Sequence, residues 1–189
     1  MKKKVVIVDY GLGNIQSAIN SVKKALSSEN SNNNIVEKTS DYKFIKDASH
    51  IILPGQGAFE SCIKGLQKLD GMIDELQNQV LIKKKPIFGI CVGMQLFATK
   101  SFENGEHNGL NWIKGNIIKI QSKKNVLPHM GWNKLNNIKQ HAILSGVENE
   151  HFYFVHSYYF MTQKEENILA YTDYDTNFPS IVNEKNIFG

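Results

Sequence analysis

The chain has 189 residues, 41% of them hydrophobic and 21% charged, which is the balance of one water-soluble domain with a sizeable core. Its net charge of +4 rests on lysine alone, with no arginine at any position. Bidentate reading of phosphate or guanine leans on arginine's planar fork, so no nucleic-acid partner is expected. Two cysteines without a Cys-x-x-Cys pair, Cys62 and Cys91, exclude a disulfide framework and a cysteine-rich zinc site. No run approaches the roughly 18 apolar residues of a membrane span, and the lysine-rich start meets Asp9 and glycines too soon for a signal peptide. The expected setting is a reducing cytoplasm, with no membrane partner.

In chain order, "KKVVIVDY" is a β-branched run ending at the turn "GLGN", which predicts a strand buried on both faces and then a helix. Ile15, Ala18, Ile19, Val22, Ala25 and Leu26 follow at the spacing of one helical face, and "SENSNNN" closes the unit as a surface loop. "NIVEKT" and "HIILPG" read as the next strands, with a short helix around Tyr42 to Asp47. After "PGQGAF", helices are predicted over Phe59 to Leu69 and Met72 to Lys84, and "KPIFGI" as another buried strand. This alternation predicts a doubly wound, mostly parallel α/β sheet. From Trp112 onward, "WIKGNIIKIQS", "HFYFVHSYYF", "NILAYTDY" and "FPSIVNEKNIFG" read as added antiparallel or mixed strands within the same single domain.

Gly89-Ile90-Cys91-Val92-Gly93 fits a nucleophile elbow with cysteine in place of serine, at the junction of a strand with a helix predicted over Val92 to Thr99. Glycines on either side leave room for a tight turn that thrusts the nucleophile out at the carboxyl edge of the sheet, and a helix N-terminus favours thiolate. A lone cysteine in an apolar strand is also commonly a small buried hydrophobe, so the pentapeptide alone leaves both readings open. "IILPGQGAF" adds a glycine-rich loop after an earlier strand, where ligands of doubly wound sheets bind. Backbone N–H groups of Gln56 or Gly57, with that of Val92, are the candidate oxyanion hole.

The segments "VDYGLGN", "LPGQGAF", "GICVGMQLF", "LPHMGWN", "FYFVHSYYF" and "AYTDY", in this order over nearly the whole chain, resemble the class I (triad) glutamine amidotransferases, and among them the glutaminase subunits of imidazole glycerol phosphate synthase. The resemblance implies a flavodoxin-like fold and attack of Cys91 on the side-chain amide of glutamine. Ammonia then passes to a cyclase subunit in a heterodimer, for histidine biosynthesis. It implies that Gln95, Glu103, Ser157 and Tyr158 hold glutamine, and that Asn14, Met130 and Trp132 meet the partner. Read without the resemblance, Gln95 is an exposed helix residue, "HSYYF" an ordinary aromatic strand and Trp132 a core residue.

A cysteine nucleophile needs a base that is itself oriented by a third group. In the family this pair follows a strand ending like "NIFG", whereas here the sequence stops at Gly189. None of His50, His107, His129, His141, His151 and His156 precedes a proline and an acid, so none is assigned as the base. The expectation is a chain cut short, with an inactive subunit that only binds as the alternative. A related subunit feeding ammonia to a surface-sugar pathway, and an unrelated cysteine hydrolase, are further readings. No metal or organic cofactor is expected, because the histidines lack ligand spacing and "GLGNIQS" lacks the marks of a phosphate loop. Cys62 reads as core.

Overall fold

The computed structural model describes residues 3–27, 34–147 and 150–189. The chain divides into two compact units, one running to Leu96 and taking in Lys185–Gly189, the other Phe97–Glu184.

In the first unit, strands Lys4–Val8 (β1), Ile35–Thr39 (β2), His50–Gly55 (β3) and Ile87–Cys91 (β4) alternate with helices Ile15–Ser27 (α1), Phe59–Gln67 (α2), Met72–Gln77 (α3) and Val92–Gln95 (α4). With the returning strand Ile187–Phe188 the order across the sheet is Ile187–Phe188, β4, β3, β1, β2, every pair parallel. Val5 and Ile7 pack with Ala18 and the half-buried Ile15, Ile19 and Val22 of α1. Val6 and Val8, which point the other way, are fully buried too, so β1 is covered on both faces as its β-branched run predicts. β4 departs from that expectation: Ile87 is buried, but Phe88 and Ile90, on the opposite side of the pleat, are each more than a third exposed.

The helix expected over Met72 to Lys84 is α-helical only to Gln77 and continues as a π turn over Asn78–Ile82. There the Lys83 N–H donates to the Asn78 carbonyl, five residues back, at 2.9 Å, and the Asn186 amide donates to the carbonyls of Val80 and Lys85 at 2.9 and 2.8 Å. The segment Tyr42–Asp47 is a 3₁₀ helix whose first turn is held by Asp41 accepting from the Lys43 N–H.

In the second unit, Lys100–Ser101 (β5), His107–Asn108 (β6), Gly115–Lys119 (β7), His129–Lys134 (β8), His151–His156 (β9), Tyr158–Thr162 (β10), Ile168–Tyr174 (β11) and Thr176–Glu184 (β12) form ribbons and a small sheet. β10, β7, β5 and β6 lie side by side in that order, while β8 pairs antiparallel with β9 and β11 with β12. The expected run "HFYFVHSYYF" is thus two strands parted at Ser157, whose carbonyl accepts the Ile120 N–H at 2.9 Å. The helix predicted over Val92 to Thr99 stops at Gln95. Beyond it the carbonyl of Phe97 accepts from Trp112 and Ile113 and that of Ala98 from Asn111, and the Thr99 N–H, which the predicted helix would give to the Gln95 carbonyl, donates instead to the Gly115 carbonyl at 2.9 Å.

Candidate active site

In the parallel pairing of β3 with β4, Leu53 lies opposite Gly89, Pro54 opposite Ile90 and Gly55 opposite Cys91. The elbow and the loop Gln56-Gly57 therefore leave the same carboxyl edge as neighbours. Cys91 is exposed and stands at φ 55°, ψ −116°, a strained conformation for a residue with a Cβ. The strain is held by close backbone packing. A methyl group on Gly93 would overlap the Leu53 carbonyl oxygen, and one on Gly55 would overlap the Gly93 nitrogen and crowd the Tyr10 hydroxyl.

The structure thus brings Cys91, Gln56, Gly57, Val92 and Gln95 to one region of the first unit. Gln56 and Gly57 are exposed, Val92 opens the single turn of α4, and Gln95 is only 6% exposed, which sets aside an exposed helix glutamine. Because α4 is one turn long, its dipole acts on Cys91 less than the longer predicted helix would.

Glu103, Ser157 and Tyr158 belong to the second unit, Glu103 in a turn after β5, Ser157 between β9 and β10, and Tyr158 as the first residue of β10. Glu103 follows β5 and donates its N–H to Ser101 Oγ at 3.2 Å; Tyr158 opens β10 opposite Lys119 of β7. On the β8–β9 ribbon, Met130 pairs with Val155 and Trp132 with Tyr153, and all four side chains are exposed, Trp132 at 71%. The core reading of Trp132 is therefore wrong: it lies edge-on to Tyr153 at 5.6 Å on an apolar outward face. Asn14 is exposed and accepts the Ser17 N–H at the start of α1.

The glutamine amidotransferase class-I family model matches residues 6–189. The chain belongs to that family. It is 43% identical over 188 residues to the imidazole glycerol phosphate synthase subunit HisH of Pelagibacter ubique, covering 98% of this chain and 88% of that one. It is 42% identical over 186 residues to the protein of the same name from Archaeoglobus fulgidus, covering 98% and 87%. Among solved structures, a glutamine amidotransferase superposes with a TM-score of 0.70 at 17% identity over 97% of this chain and 86% of that one, a likeness of fold.

For this amidotransferase the histidines can be sorted by position. His50, the single imidazole of the first unit, opens β3, five residues before Gly55, so at about 3.3 Å per residue it lies roughly 16 Å along the strand from the level of Cys91. His129 and His156 bond each other at 3.1 Å. The Tyr158 carbonyl can only accept, so His156 Nδ1–H donates to it, and His156 Nε2 accepts from His129 Nδ1–H. The Asn133 amide then donates to His129 Nε2 at 3.3 Å. Burial first, and then the neighbouring His156, push the pKa of His129 down to about 4; burial lowers that of His156 as well, against the opposing pull of the Tyr158 carbonyl. Sequence reasoning assigned neither His129 nor His156 as the base, and neither local segment shows that the two rings are bonded.

Proposed function

We propose that the chain is the glutaminase subunit of imidazole glycerol phosphate synthase. The carrying observation is an exposed, strained Cys91 beside the Gln56-Gly57 loop in a chain whose relatives bear that subunit's name. Cys91 Sγ attacks the side-chain amide carbon of glutamine, the C–N bond breaks, ammonia leaves, and water releases glutamate from the thioester. The N–H of Val92 and that of Gln56 or Gly57 receive the oxyanion. Gln95, one turn beyond Cys91, is a substrate-binding residue of the first unit, and the family resemblance gives Glu103, Ser157 and Tyr158 of the second unit the amino and carboxylate ends of glutamine, an acid and polar donors suiting a zwitterion.

The ammonia passes to a cyclase subunit, which forms imidazole glycerol phosphate and AICAR in histidine biosynthesis. The outward ladder of Met130, Val155, Trp132 and Tyr153 on the second unit is the surface we assign to this heterodimer, exposed aromatics of this kind being frequent interface anchors; Asn14, on the first unit, is assigned to the partner by the family resemblance. A family match that runs through both units supports reading them as one amidotransferase domain. No helix among the described residues is long and apolar enough to cross a membrane, and a cytoplasmic setting accompanies the biosynthetic reading.

The test is glutamate release by the full chain together with a cyclase subunit. Cys91→Ala is expected to lower it on the order of 10⁴-fold while leaving the fold intact. Glutaminase activity that survives the substitution would overturn the assignment.

A further inference from the structure

Tyr10 and Cys62, neither of which has been given a role so far, bond the backbone around the Gln56-Gly57 loop. We propose that Cys62 is a positioning residue for the glutaminase step, with Tyr10 beside it: its buried thiol holds the Gln56 carbonyl inward and so fixes the direction of the Gly57 N–H. The proposal rests on the glutaminase reading above and deepens it.

Cys62, on α2, is fully buried, and its thiol donates to the Gln56 carbonyl at 3.4 Å. Tyr10, two residues beyond β1, is nearly as buried and donates its hydroxyl to the Pro54 carbonyl at 2.6 Å. Two carbonyls of the segment that leads through the loop are therefore held from its inner side, each by a side chain from a different part of the chain. In a planar trans peptide the carbonyl and the next N–H point in opposite directions. Holding the Gln56 carbonyl toward α2 thus turns the Gly57 N–H away from it, to the outer side of the loop.

Gly57 sits at φ +96° and nothing among the described residues lies within 4 Å of where its Cβ would stand, so no side chain of its own helps to hold this peptide in one orientation. Burial, and then the neighbouring Cys62, raise the Tyr10 pKa, so the hydroxyl stays a donor throughout the range in which a thiolate nucleophile forms. An oxyanion donor contributes only when it is aimed before the charge develops, and that is the step this inner pair of donors serves.

The test compares Cys62→Ala with Cys62→Ser in the full chain with its cyclase partner. Cys62→Ala removes the donor and is expected to lower kcat for glutamine about five- to tenfold with KM unchanged, the scale of one modest hydrogen bond. Cys62→Ser keeps a donor in place and is expected to recover most of the loss. A packing role predicts the reverse order, since alanine suits a buried apolar site better than serine does. The second readout needs no turnover: the Gly57 amide resonance of the ¹⁵N-labelled chain should shift or double in Cys62→Ala and return in Cys62→Ser. If the wild-type complex fails to hydrolyse glutamine, the glutaminase reading falls, and the resonance alone judges the brace. A Gly57 resonance indifferent to Cys62→Ala, or a serine variant slower than the alanine one, overturns the proposal.

Discussion

Around Cys91 the structure depends on side chains that are missing, whereas along β8 and β9 it depends on two faces of side chains that are present. Gly93 and Gly55 let the elbow press against the backbone of β3, and that contact keeps Cys91 in a conformation its Cβ opposes. On the ribbon, strand alternation sends Met130, Trp132, Tyr153 and Val155 outward and His129, Phe154 and His156 to the other face, where the rings stack and bond. A backbone contact of the first kind tolerates no substitution. A side-chain face of the second kind loses its parts one at a time, so the two regions should differ in how they fail.

The sharpest test of this difference is Gly93→Ala, since the new methyl group would meet a main-chain carbonyl that cannot rotate away. It is expected to cost more than about 4 kcal/mol in urea unfolding, or to leave no soluble protein. An unfolding midpoint close to that of the wild type would show that the elbow can shift to make room.

On the inner ribbon face the expected effect is smaller and depends on pH. The folded-state pKa of His129 lies below its unfolded value, so the unfolded chain binds the proton first and stability falls as pH drops. The window runs from 6.5 down to about 4, and the loss from this residue is at most roughly 3 kcal/mol. Urea titrations of the wild type and His129→Phe across that window check the sign: the variant should show the flatter dependence. Equal slopes would detach the pH dependence from His129.

The outer ribbon face should respond least in stability and most in association. Trp132→Ala is expected to leave unfolding within about 0.5 kcal/mol and to weaken cyclase binding by roughly 2 kcal/mol, near thirtyfold. Unchanged affinity by calorimetry would move the interface elsewhere on the surface.

Much of this was legible in the sequence because it is local. The β-branched run of β1, the one-sided apolar spacing of α1, the glycines around Cys91 and the order of the motifs set the parallel sheet, the elbow and the family. The tertiary structure decided the features in which distant segments compete for one backbone group. Asn186 takes two carbonyls around the π turn that follows α3, the Gly115 carbonyl takes the Thr99 N–H that a longer α4 would use, and His129 meets His156 across two strands. Tyr10 and Cys62, one just beyond β1 and the other on α2, meet behind one loop by the same rule. Periodicity records which side of an element faces inward; which partner waits there depends on how the elements pack.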